Sequence, residues 1–207
     1  RSLPTGAGEN QPGLATRRFI YACLDADTDA QIDTVTVDVV VGPAPIGTPA
    51  YAEPADRLRL KRQLLTPPYR LFPVVDQIAD KVCATMSTDY PGGRRSSRVK
   101  DLVDLVVLAR TQSVDLGELR VAIATKQALS GMDPFAAFTI PDTWHRTYPN
   151  TAKGVPSAQT YTAAEAADLV ARFVNPALAT ASDAATWDPE QLAWSATASV
   201  PRAYPAS

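Results

Sequence analysis

Three acids and a lysine stand where their residue types are out of place. Asp38 falls in the middle of TVTVDVVV (Thr34–Val41). Lys81 lies within VVDQIADKVCATM, and Asp101 and Asp104 lie within VKDLVDLVVLAR, which is otherwise apolar nearly all the way round. Charged groups in segments that would otherwise be buried cost free energy unless they are paired or put to use. Aspartate is also disfavoured in mid-strand. Asp38 can be a carboxylate that a rigid strand presents to a metal ion, or a solvent-facing residue on a half-exposed sheet. Lys81 can point into a cleft, or run its stem along the apolar face and reach water. Asp101 and Asp104, at i and i+3, share a helix face; either can simply complement the positive end of the helix dipole. Between the two apolar runs lies a basic, Gly/Ser-rich stretch, PGGRRSSR.

The elements that must carry these groups follow from periodicity and punctuation. Arg17–Leu24 reads as a strand, rich in aromatic and β-branched residues and bounded by turn formers. Thr34–Val41 is the clearest strand: Val35, Val37, Val39 and Val41 alternate onto one face and Asp38 takes the other. The short polar segment between them predicts an antiparallel pair. Arg1–Ala15 and the proline-rich Gly42–Pro54 read as loops, and Asp56–Leu65 as a short basic helix or strand. Pro73 sits where helices start, and Val75, Ile78, Val82 and Met86 recur at helical spacing with Lys81 near the rim of their face. Ser96 or Ser97 is placed to cap the next helix, which should be central and buried. The remainder reads as helical. Asp115 with Glu118 and Thr162 with Glu165 form capping boxes, Gly131 supplies a stop, Pro141–Tyr148 is a loop or short helix, and Asn175-Pro176 ends the last helix. Trp187 and Trp194 are expected to lie back on the core. The single His145 reads as structural.

Totals exclude some classes. The 207 residues fit one domain or two small ones. Two cysteines, Cys23 and Cys83, are no disulfide framework and fit a reducing compartment. No apolar run approaches the ~20 residues that span a bilayer and no signal-peptide pattern is present, so the expectation is a soluble cytoplasmic protein without a membrane partner. The formal net charge is −2, yet 11 of the 20 lysines and arginines fall between Arg57 and Arg110, a clustering that can form a basic face or a set of solvated surfaces.

Taken in order, these pieces resemble the AbiEii/AbiGii-type nucleotidyltransferase toxins of type IV toxin–antitoxin systems, which include the mycobacterial MenT-type enzymes. The match lies in Val37-Asp38-Val39, in Asp76-Gln77-Ile78-Ala79-Asp80-Lys81-Val82-Cys83-Ala84, and in Arg98 to Leu105. A weaker echo runs through Leu119–Thr125 and Pro141-Asp142-Thr143-Trp144. The likeness covers about Arg17 to Ala177. It implies an α+β fold: a polymerase-β-like nucleotidyltransferase sheet, here residues 1–70, followed by a mostly helical domain, residues 71–207. It also implies transfer of a nucleotide from an NTP to the 3′ end of tRNA, with Mg²⁺ as cofactor and a cognate antitoxin as partner. In such chemistry metal ions held by carboxylates bridge the triphosphate and the attacking hydroxyl, a lysine neutralises phosphate charge, and basic loops hold an RNA backbone.

On that resemblance Asp38 is a metal ligand, and Lys81 (the phosphate contact) and Asp101 are catalytic. Arg94, Arg95, Arg98 and Lys100 bind nucleotide or RNA, and Asp76 and Asp104 support the site from behind. The family's first motif, a Gly-Ser or Gly-Gly segment followed by an Asp-x-Asp strand, is expected well upstream of Asp38, where only 37 residues stand. Asp25-Ala26-Asp27 has the letters but reads as a turn. Either that motif lies outside these residues, or it is lost and transfer is very weak or absent. The competing functions are a catalytically incomplete member that binds an antitoxin or RNA, and a phosphotransferase that modifies its antitoxin.

Overall fold

The computed structural model describes residues 15–42, 44–53, 67–87, 96–179 and 184–196. The Asp56–Leu65 segment, Pro91-Gly92-Gly93, Arg94 and Arg95 lie outside the described residues. The chain forms two compact units, Arg1–Ala44 and Pro45–Ser207.

In the first unit, β1 (Ala15–Leu24) and β2 (Gln31–Val41) form an antiparallel hairpin, with Phe19 opposite Val37 and Arg18 opposite Asp38. The expected pairing is therefore present, with both strands slightly longer than their sequence cores. Asp25-Ala26-Asp27 lies in the connecting turn: the Asp25 carboxylate accepts hydrogen bonds from the backbone of Asp27 and Thr28, at 3.1 and 2.9 Å. Those bonds, together with one from the Thr28 hydroxyl, hold the Asp25 carboxyl below its usual range. An aspartate that caps its own turn is ordinary Asx chemistry.

The second unit opens with a short antiparallel pair, β3 (Ala50–Ala52) and β4 (Tyr69–Leu71). Helices α1 (Val74–Met86), α2 (Val99–Thr111), α3 (Leu116–Leu129), α4 (Trp144–Ala152) and α5 (Ala163–Leu178) follow. The architecture is α+β, with small antiparallel sheets and five helices among the described residues. Helix α1 begins directly after Pro73, as its fixed φ favours. Its residues Val75, Ile78, Ala79, Val82 and Cys83 are buried at 3- and 4-residue spacing, the stripe a core-facing helix requires. Helix α2 packs against α1, α4 and α5 and is the central helix of the unit. At α5 the capping box is complete, with Thr162 and Glu165 bonded reciprocally. Leu169, Val170, Phe173 and Val174 of α5 are fully buried; each such side chain contributes about 1.5–3 kcal/mol of transfer free energy.

Three sequence expectations are corrected. Helix α5 does not end at Asn175-Pro176 but runs to Leu178 with Pro176 inside it. Proline lacks the N–H that would bond the carbonyl four residues back. Here that carbonyl, of Arg172, accepts instead from the Trp194 indole at 3.1 Å. The C-terminal part is not all helical: β5 (Val114–Asp115), β6 (Ala185–Asp188) and β7 (Ala193–Ala196) form an antiparallel three-stranded sheet in the order β5-β6-β7. Finally, neither Ser96 nor Ser97 caps α2. Arg98 holds the N-cap position without a side-chain cap bond, and the buried Ser96 hydroxyl accepts from the Arg98 backbone N–H at 3.2 Å. Pro141–Tyr148 resolves into the turn that leads into α4 and its first residues. Trp187 and Trp194 lie on the core as expected, against Phe173 with ring centroids 4.8 and 6.1 Å away.

Candidate active site

Helices α1 and α2 bring five of the sequence-selected residues together. Lys81, on the rim of the α1 stripe, directs its ammonium between the two acids of α2, 2.7 Å from Asp104 Oδ2 and 3.7 Å from Asp101 Oδ1. Arg98 reaches over the first turn of α2 and grips both Asp101 oxygens, Nε to Oδ2 at 2.7 Å and Nη2 to Oδ1 at 3.4 Å. Among the described residues Oδ2, which is buried, makes no hydrogen bond of good geometry, so the short Nε contact is an ion pair and not half of a bidentate fork. Lys100 adds a solvent-exposed contact to Asp104 at 3.3 Å, a surface i,i+4 pair worth only about 0.3–0.5 kcal/mol.

Asp101 is the unusual member. Its carboxylate side chain is only 4% exposed, whereas those of Lys81 and Asp104 are 22% and 27% exposed. Burial pushes the Asp101 carboxyl above its ordinary range, the charges of Arg98 and Lys81 oppose that, and Asp104 adds to it. The site therefore holds a desolvated carboxylate facing two cations, beside a lysine shared with a second, wetter carboxylate. Among the described residues the cluster joins Lys81, Arg98 and Lys100 to Asp101 and Asp104.

The two remaining acids lie elsewhere. Asp76 is in the first turn of α1, and its two oxygens accept the backbone N–H groups of Ile46 and Gly47, each at 2.8 Å. It ties the loop before β3 to α1. Asp38 lies on β2 in the other unit, exposed, with both oxygens bonded to Arg18 at 2.6 and 2.8 Å. Arg18 holds the Asp38 carboxyl below its usual range. Among the described residues no group of three or more histidines, cysteines, aspartates or glutamates is placed to hold a metal ion.

The sequence placed Ser96 before α2 as a candidate cap and Trp144 in the family echo, but did not join the two. The carbonyl of Ser96, which is 2% exposed, accepts from the indole N–H of Trp144 at 3.1 Å. The available signal was Trp144 itself, since a buried indole needs an acceptor.

The profile of the nucleotidyl transferase AbiEii toxin of type IV toxin–antitoxin systems matches residues 5–185. The chain belongs to this family of nucleotidyltransferase toxins. A comparison with curated proteins found no match. Among the described residues no helix is long and apolar enough to cross a membrane.

Proposed function

We propose that the chain transfers a nucleotide from an NTP to the 3′ end of tRNA and so blocks translation, as a cytoplasmic toxin opposed by a cognate antitoxin. The observation that carries this reading is Lys81 held between Asp101 and Asp104 in a chain of this family. Lys81 exchanges its bond to Asp104 for the triphosphate and offsets its charge. Asp101, in a dry position, accepts the proton of the attacking hydroxyl or orients it. Arg98 at the start of α2 and Lys100 on it, with Arg94 and Arg95 earlier in the sequence, bind the nucleotide and the RNA backbone. Asp76 and Asp104 support Lys81 and its helix.

Mg²⁺, Asp38 as its ligand and a polymerase-β-like sheet around β1 and β2 belong to the same proposal. The described residues do not by themselves make a metal centre, because the Asp38 oxygens are both taken by Arg18. When bound, Mg²⁺ supplies charge neutralisation on the triphosphate.

The test incubates the protein with labelled NTPs and total tRNA, beside Lys81→Ala. Label should enter tRNA with the native protein and fall at least about 10²-fold with Lys81→Ala, the scale of losing one preorganised electrostatic contact. Equal label in native protein, variant and blank would remove the reading.

A further inference from the structure

We propose that Trp144 is a positioning residue for the Arg98–Asp101 pair, acting through the carbonyl of Ser96. Its functional meaning rests on the nucleotidyl-transfer reading above.

Helix α2 lacks an ordinary N-terminal cap. Arg98 stands at the N-cap position without a side-chain cap bond to the backbone N–H groups of the first turn. What fixes this entry is Ser96, whose hydroxyl accepts from the Arg98 N–H at 3.2 Å and whose carbonyl accepts from the Trp144 indole at 3.1 Å. The backbone continues the constraint, since the Arg98 carbonyl accepts from the Asp101 N–H at 2.8 Å. The side chain of Arg98 then closes on Asp101 across the same turn. A single chain of contacts therefore runs from Trp144 through Ser96 to Arg98 and Asp101.

Trp144 is itself well anchored. It is the first residue of α4 and 2% exposed, with Tyr148 one turn later fully buried and its hydroxyl donating to the Ala158 carbonyl at 3.1 Å. The ring packs in the core and only the N–H acts on Ser96, so packing and tethering are separable. Without the indole donor the Ser96 carbonyl is a buried acceptor with an unmet bond. The segment 96–98 then relaxes towards a new partner and carries the base of the Arg98 side chain with it.

The experiment reads the Arg98 side chain directly in the full chain. Solvent exchange of the Arg98 Nε–H is followed by ¹⁵N NMR in the native protein, in Trp144→Phe, and in a protein carrying β-(3-benzothienyl)alanine at position 144, which keeps the indole shape and lacks its donor. The expected result is exchange at least tenfold faster in both variants. The indole N–H groups of Trp187 and Trp194, bonded to the Ala109 and Arg172 carbonyls, should keep their rates. Should Trp144→Phe fail to fold, the benzothienylalanine protein decides. Unchanged Arg98 exchange in that protein overturns the proposal, and so does a uniform acceleration of all protected groups, the sign of a merely structural role. Absence of tRNA labelling by the native protein would remove the transfer reading while these exchange rates still decide the tether.

Discussion

Asp101 is where the chemistry and the stability of this protein meet. Its folded carboxyl titrates above the unfolded value because burial outweighs Arg98 and Lys81. For a group raised on folding, the stabilising contribution is fully present below the unfolded value and is lost as pH rises through the folded one. Asp101→Asn removes that titration while keeping size and shape. Urea unfolding across the acid-to-neutral range should therefore show the native chain losing stability relative to Asp101→Asn as pH rises through the raised carboxyl range, with the gap constant above it. A gap that does not vary with pH would mean the cations fully offset burial. Arg98→Ala should act in the opposite sense to a benign surface change: it strands a carboxylate whose side chain is 4% exposed, and breaking one side of a buried pair costs about 3–5 kcal/mol. At this scale much was legible. A lysine and two acids in apolar helices are conspicuous in sequence, and the structure brings Lys81, Asp101 and Asp104 together. The pairing of Asp38 with Arg18 was not legible, because a cross-strand partner depends on a register that the alternation of valines leaves open.

Elements were readable where one signal dominated and hidden where tertiary partners decided. The hairpin, the start of α1 at Pro73 and the Thr162–Glu165 box announce themselves locally. The β5-β6-β7 sheet does not: its strands are 2, 4 and 4 residues long, shorter than any periodicity can mark. Pro176 inside α5 is tolerated because Trp194 meets the carbonyl it orphans, a contact between residues 22 apart. The indoles allow a graded check. Trp187 is fully buried and donates to the Ala109 carbonyl at 2.7 Å, whereas Trp194 is partly exposed. Trp187→Phe should cost more than Trp194→Phe, with about 1–3 kcal/mol coming from the unmet acceptor alone, because water can reach the Arg172 carbonyl; thermal unfolding of both variants ranks them. Gly47 is a second element-scale constraint. A Cβ there would stand 2.7 Å from Pro73 Cβ and 2.8 Å from Val75 Cγ2, and both neighbours are buried. Gly47→Ala should destabilise by about 1–3 kcal/mol, the usual range for overpacking, and should loosen the Asp76 contacts that tie this loop to α1.

For the whole molecule, the distribution of burial sets where cooperativity resides. Every buried hydrophobic side chain among the described residues falls between Val75 and Trp187, inside the unit Pro45–Ser207. The hairpin contributes none, and Val35, Val37, Val39 and Val41 are 40–66% exposed. An isolated two-stranded hairpin is at best marginally stable in water, whereas the helical unit carries a continuous core. A chain of residues 45–207 should therefore unfold cooperatively by itself, with a midpoint within a few degrees of the full chain, and should keep the Lys81–Asp104 contact. The cysteines report the same contrast in one experiment. Cys83 is 2% exposed and burial pushes its thiol up to about 12, so it offers almost no thiolate; Cys23 on β1 is only partly buried. A thiol reagent at neutral pH should modify Cys23 in the native full chain within minutes and reach Cys83 only at the rate of global unfolding. The 45–207 chain, which contains Cys83 alone, should then show no fast phase. A fast phase from that chain would mean that its core opens without the preceding residues, and that the second unit does not hold its structure by itself.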